Sequence, residues 1–129
     1  MDYLLIDIKS LNTKNKNKSL VKQIMDKEIT GIINEYISAV AKQNPNFSKA
    51  YLFGSYATNR HHKDSDIDIA LIIDNLDDND RFDLQIQLMV LAATIDSRIE
   101  PHPISKKELG TNNPFISEIK RTGIEILND

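Results

Sequence analysis

One stretch constrains this chain more than any other. An apolar run ending Leu52-Phe53 is broken by Gly54-Ser55, and ten mostly polar residues follow. Asp66-Ile67-Asp68-Ile69-Ala70-Leu71-Ile72-Ile73 then re-enters an apolar run carrying two aspartates one residue apart. Short runs rich in β-branched residues and bounded by polar punctuation read as strands. Side chains alternate along a strand, so Asp66, Asp68 and Ala70 share one face and Ile67, Ile69, Leu71 and Ile73 the other. The alternation predicts a core face and a face presenting two carboxylates to solvent, close to a small-residue turn. The rest of the chain has to hold that turn against those acids.

The chain has 129 residues, which supports one hydrophobic core and leaves no room for a second domain of ordinary size. A net charge of −3 gives no long-range positive field, so no surface for direct binding of duplex nucleic acid is expected. A nucleotide needs only two or three local cations and stays possible. The chain has no cysteine, which excludes disulfides, thiolate metal sites and cysteine nucleophiles. Its apolar runs fall well short of the ~18 residues that span a bilayer. Met1-Asp2-Tyr3-Leu4 carries an acid where a secretory signal needs bases. A cytoplasmic setting, with no membrane partner, is the expectation.

Residues 3–8 read as a short strand, and the polar, basic run from Asn12 to Lys18 as a linker. Residues 1–18 are therefore expected to be an N-terminal extension, and 19–129 a single domain. From Ser19, a plausible N-cap, to Gln43, apolar residues recur at helical spacing through Ile29, Ile33, Tyr36, Ile37 and Val40. Asn44-Pro45 ends that helix. Lys49–Phe53 reads as a strand, residues 56–61 as the first turns of a helix, and His62 to Ser65 as a polar loop. After the Asp66–Ile73 strand comes a loop to Asn79, then a helix from about Asp80, its expected cap, to Ser97. Arg98–Ile104 reads as a third strand, and Pro101 and Pro103, lacking backbone N–H groups, put it at a sheet edge or make it short. Ser105 caps a turn through Leu109, and Pro114 opens a last helix that ends near Arg121 before Gly123. Ile124–Leu127 reads as an apolar tail docking on the body. The fold class that follows is α/β (α+β), a small mixed β-sheet flanked by helices.

Asp66 and Asp68 lie about 7 Å apart along one strand face, at ~3.3 Å per residue. Two like charges this close repel unless a cation neutralises them. Magnesium suits the pair, as a hard ion held by one or two carboxylates plus substrate phosphates. Two such ions stabilise the attacking and leaving oxygens of an in-line phosphoryl displacement. Gly54 lets the backbone approach a phosphate, Ser55 adds a hydroxyl donor, and a helix start points N–H groups at the anion. Arg60 and Lys63 can reach phosphate oxygens from the connecting loop, and Ser65 at its end is a further phosphate-side candidate. Glu100 is the candidate third acid, sharing a strand face with His102 and Ile104. It would act as general base or complete a metal shell. Taken singly, a Gly-Ser turn or an Asp-x-Asp face is most often structural; the two at this spacing point to a site.

Gly54 to Asp68 resembles the signature of the DNA polymerase β-like nucleotidyltransferase superfamily, Gly-Ser, ten residues, Asp-x-Asp. Leu52-Phe53-Gly54-Ser55-Tyr56-Ala57, Ile99-Glu100-Pro101-His102-Pro103-Ile104-Ser105 and the segments Asn113–Ile116 and Gly123–Ile126 are similar to its minimal nucleotidyltransferase branch. The resemblance covers roughly residues 20 to 127 and implies the polymerase β-like palm fold. It implies that Gly54 and Ser55 hold a triphosphate while Asp66, Asp68 and Glu100 hold magnesium, two ions with nucleotide bound. It further implies transfer of a nucleoside monophosphate, AMP from ATP being the expected case, to a hydroxyl. Minimal members typically sit beside a HEPN-domain toxin, which they bind and can adenylylate on tyrosine. Homo- or hetero-oligomers fit so small a domain. Asn59 stands where the family usually has glycine, and Glu100 where it usually has aspartate. Two alternatives stay open, a nucleotide-binding antitoxin that neutralises its partner without turnover, and a transferase acting on small alcohols such as antibiotics.

Overall fold

A computed structural model describes residues 3–6 and 27–128. The described strands are β1 (Tyr3–Ile6), β2 (Phe47–Phe53), β3 (Ile67–Ile73), β4 (Ile99–Ser105) and β5 (Ile124–Asn128), and the helices are α1 (Lys27–Gln43), α2 (Asp78–Ile95) and α3 (Pro114–Thr122). The sheet order is β1-β5-β2-β3-β4. Only β3 and β4 pair in parallel; the other neighbours are antiparallel, so the sheet is mixed as expected. The Ser19 cap, the first turns of the expected helix, the basic run at 12–18 and the boundary at residue 18 lie outside the described residues.

On one sheet face α1 and α2 close a core around Ile33, Tyr36, Ile37, Leu52, Ile67, Ile69, Leu71 and Leu88. The Tyr36 hydroxyl donates to the Leu88 carbonyl at 3.0 Å and ties the two helices together. On the other face α3 lays Ile116 and Ile119 over Ala70, Ile72 and Ile104. The expectation that one face of β3 is solvent-facing is therefore corrected. Beyond Asp68 both faces are buried, because an inner strand with a parallel neighbour is covered on both sides. Ala70 and Ile72, apolar members of the acidic face, carried that signal.

Three other expectations change. The helix at 56–61 is a single 3-10 turn, Gly54–Tyr56. Asn59 takes φ 61°, the left-handed region, and the Arg60 N–H closes on the Ser55 carbonyl at 2.9 Å, so the coil cannot propagate. The cap of α2 is Asp77, whose side chain accepts from the Asn79 N–H, and the helix starts at Asp78. Ile124–Leu127 is a strand inside the sheet, paired with β1 on one side and β2 on the other.

The edge position of β4 follows from its prolines, and α2 satisfies what they leave. Gln85 donates to the Pro101 carbonyl and Arg81 to the Pro103 carbonyl, each at 2.9 Å. Four residues of helix rise about 6 Å and two of strand about 6.6 Å, so the spacings match. Arg81 also holds Glu108, which makes a capping box with Ser105. Burial alone would raise the Glu108 carboxyl, but hydrogen bonds from Arg81 and Ser105 outweigh it and hold it below its ordinary value. A depressed folded-state value contributes stability above the unfolded value, near 4.5, that is lost as pH falls through the folded one. Arg81→Ala is expected to cost roughly 1–3 kcal/mol at neutral pH. Wild-type thermal melts should lose stability below pH 4.5, and the variant should lose less of it.

Candidate active site

The site forms where three strand ends meet. Phe53 of β2 pairs with Asp68 of β3, and Asp68 with Glu100 of β4. Opposed residues share a face, so the three side chains point the same way. His102, two residues on, joins them. One ligand atom each from Asp68, Glu100 and His102 lie within 4.8 Å of one another. The His102 Nε2 is 3.3 Å from Asp68 Oδ1. Its ring is held by aromatic edges, Phe53 at 5.0 Å between centroids and Phe115 of α3 at 6.0 Å.

Asp66, one residue before β3, is exposed and lies beside the Glu100 carboxyl, outside the converging group of Asp68, Glu100 and His102. Partial burial, the neighbouring Asp66 carboxyl and the charge of Asp68 push the Glu100 carboxyl above its ordinary value, with His102 opposing. Two carboxylates and an imidazole thus converge, with a third carboxylate, Asp66, beside Glu100. Such a donor set fits a divalent cation. Oxygen ligands suit Mg2+, and the added imidazole favours Mn2+ or other transition ions.

Gly54 is fixed in place for two reasons. Its φ is +74°, and a Cβ there would collide with the Asp68 carboxylate. Turn and acid therefore pack as one unit. The first bond of the 3-10 turn runs from the Ala57 N–H to the Gly54 carbonyl at 3.1 Å, so the Ser55 amide is not spent within the turn. Ser65 is buried; its hydroxyl accepts from the His62 N–H at 2.9 Å, and its own N–H donates to the His62 carbonyl. It closes the loop between turn and strand. Arg60 and Lys63 are exposed on that loop, and the side chain within reach of Asp68 is His102 rather than either of them. His102 was placed on the Glu100 face by alternation, but its approach to Asp68 depends on the β3–β4 register, which no local pattern encodes.

Known proteins resemble the chain in the same region. Residues 35–129 match the profile of the family described as Polymerase beta, Nucleotidyltransferase. Protein adenylyltransferase MntA of Shewanella oneidensis is 37% identical over 68 residues, 52% of this chain and 47% of that protein. The chain thus spans about half the length of that curated relative. A toxin-antitoxin crystal structure with AMP-PNP superposes with a TM-score of 0.52 at 28% identity, over 71% of this chain and 69% of its own. A variant of the toxin-antitoxin MntA-HpeT superposes with a TM-score of 0.52 at 27% identity, over 74% and 72%.

Gly54→Ala is expected to cost about 1–2 kcal/mol from the left-handed backbone alone, read by urea denaturation, and to weaken Mn2+ binding in calorimetry by displacing Asp68. Gly31→Ala is the control. It lies in α1 with open space around it, and should be neutral or stabilise by up to about 1 kcal/mol.

Proposed function

The chain belongs to the polymerase beta nucleotidyltransferase family, and on that premise we propose that it transfers AMP from ATP, with magnesium, to a hydroxyl on a partner toxin of the HEPN type. One observation carries the reading. Asp68, Glu100 and His102 converge within 4.8 Å beside a glycine turn packed on the Asp68 carboxylate. Phosphate-binding and cation-binding groups are then within reach of one triphosphate.

In this reading Asp66, Asp68 and Glu100 hold the cation, with His102 as a further ligand. The bound ion supplies charge neutralisation on the phosphates and on the oxygens that attack and leave. Gly54 lets the backbone close on the triphosphate, and the Ser55 amide and hydroxyl donate to its oxygens. The acceptor oxygen bonds to the α-phosphorus as the bond from that phosphorus to the bridging oxygen breaks, and pyrophosphate leaves. Glu100 takes the hydroxyl proton as general base. Loop residues Arg60 and Lys63 contact phosphate once nucleotide is bound, and Ser65 supports that contact by holding the loop. Glu100 stands in place of the usual aspartate and is one methylene longer.

The MntA and toxin-antitoxin relatives support a protein acceptor over a small alcohol. The test uses the full chain, ATP labelled at the α-phosphate, Mg2+ and the protein encoded beside it. A gain of one AMP on that neighbour is expected, falling on the order of 100- to 1,000-fold with Asp66→Ala or Asp68→Ala. No label with the intact chain, or equal label with the variants, overturns the reading. A neighbour that is neutralised without label makes the chain a binding antitoxin instead.

A further inference from the structure

Helix α2 has two apolar stripes where a surface helix needs one. Leu84, Leu88, Leu91, Ala92 and Ile95 face the core, with Leu88 and Ala92 fully buried. On the opposite side Phe82, Ile86, Met89 and Val90 are 71, 45, 53 and 62% exposed. Their spacing, i, i+4, i+7, i+8, aligns them along about three turns. A contiguous apolar patch of a few hundred Å² on one face marks an interaction surface more often than chance exposure does.

The charge around the stripe is of one sign. At 100° per residue Asp78 and Asp83 border it on its two sides, and Asp80 lies further round; all three are exposed. The acids of the first turn are accounted for by the helix dipole, but Asp83 lies past that turn. The single cation of α2, Arg81, is engaged with Pro103, Glu108 and Asp78.

We propose that this stripe docks an amphipathic helix of a partner protein whose apolar face is bordered by lysine or arginine. That this partner is the one carrying the acceptor hydroxyl rests on the function proposed above. A second copy fits less well. A two-fold pairing of α2 with itself sets each Asp83 against a helix whose single cation, Arg81, is already engaged, and it brings nothing the site lacks. The stripe is also about half of the ~800 Å² per partner that a stable interface needs. An acceptor protein supplies the remainder, because α2 is bonded along β4, the strand bearing Glu100 and His102. The stripe lies on the α2 side of the sheet and the acids face the α3 side, so a partner seated on α2 reaches them by passing round the β4 edge.

The full chain is tested against the protein encoded beside it, by calorimetry and by AMP transfer. The double variant Phe82→Ser/Val90→Ser changes exposed side chains only and should melt no lower than wild type. It is expected to bind the neighbour at least tenfold more weakly and to raise KM for it, with AMP-PNP–Mg2+ affinity unchanged. Asp83→Lys should weaken binding several-fold in low salt, and less as salt rises. Unchanged binding in the double variant overturns the docking face. So does sedimentation showing the chain alone as a dimer that the double variant dissociates, which assigns the stripe to a second copy. A chain that binds its neighbour through α2 yet transfers no AMP overturns the proposed reaction alone. One that transfers AMP with binding indifferent to α2 overturns the docking face alone.

Discussion

The register of β3 against β4 is the constraint on which the rest depends. Asp68 stands opposite Glu100 because Ile67 pairs with Ile99 and the two strands run parallel from there. A slip of one residue would turn Glu100 and His102 away from Asp68 and bring prolines to the acidic face. The register is secured at both ends. At the start the Ile67 N–H donates to the Arg98 carbonyl at 2.7 Å, and Arg98 is itself forked onto Asp96. Farther along, α2 grips the outer carbonyls of Pro101 and Pro103. The prolines serve the same end, since an outer edge without N–H donors cannot accept another strand in that register.

A second constraint sits beside the first. Gly54 turns the chain off β2 with a left-handed φ, and the space its missing side chain leaves is taken by the Asp68 carboxylate. The phosphate-side turn and the cation-side acid therefore touch before any ligand arrives. Phe53, immediately before the glycine, reaches His102 and Phe115, so α3 is drawn into the same construction. Helix α3 also seals Ala70, Ile72 and Ile104, leaving only the first residues of β3 open. Access is thus confined to the strand ends that carry the acids.

Much of this was legible in the sequence, and the parts that were not share a cause. The strands, the proline edge, the Ser105 turn and the Pro114 helix follow from local signals, and each is present. The Asn59 turn is legible too, since asparagine tolerates the left-handed region it occupies. What local pattern could not give was partnership. Ile124–Leu127 has only the look of an apolar tail until β1 and β2 flank it. Asp66 and Asp68 are read as a solvent face until α3 covers the rest of that face. The proximity of His102 to Asp68 exists only in the paired sheet. The outer stripe of α2 is the converse case. Its apolar spacing is plain in the sequence, and only the fold reveals that no part of the described chain covers it.

These features explain how one small sheet carries a poorly compensated charge cluster. Gathering the Asp68 and Glu100 carboxylates, with Asp66 alongside, costs folding free energy through their mutual repulsion, which also pushes the Glu100 carboxyl upward. The cost is tolerable because the acids occupy strand ends whose remaining residues are buried on both faces, so the core beneath them does not depend on their comfort. A cation that binds only this folded arrangement offsets that cost by mass action and stabilises the chain. Stability and ligand occupancy are then linked through one register, and a change that loosens β4 acts on both. The edge hydrogen bonds from α2 sit at that link, between the cluster of acids on one side and the bare apolar stripe on the other.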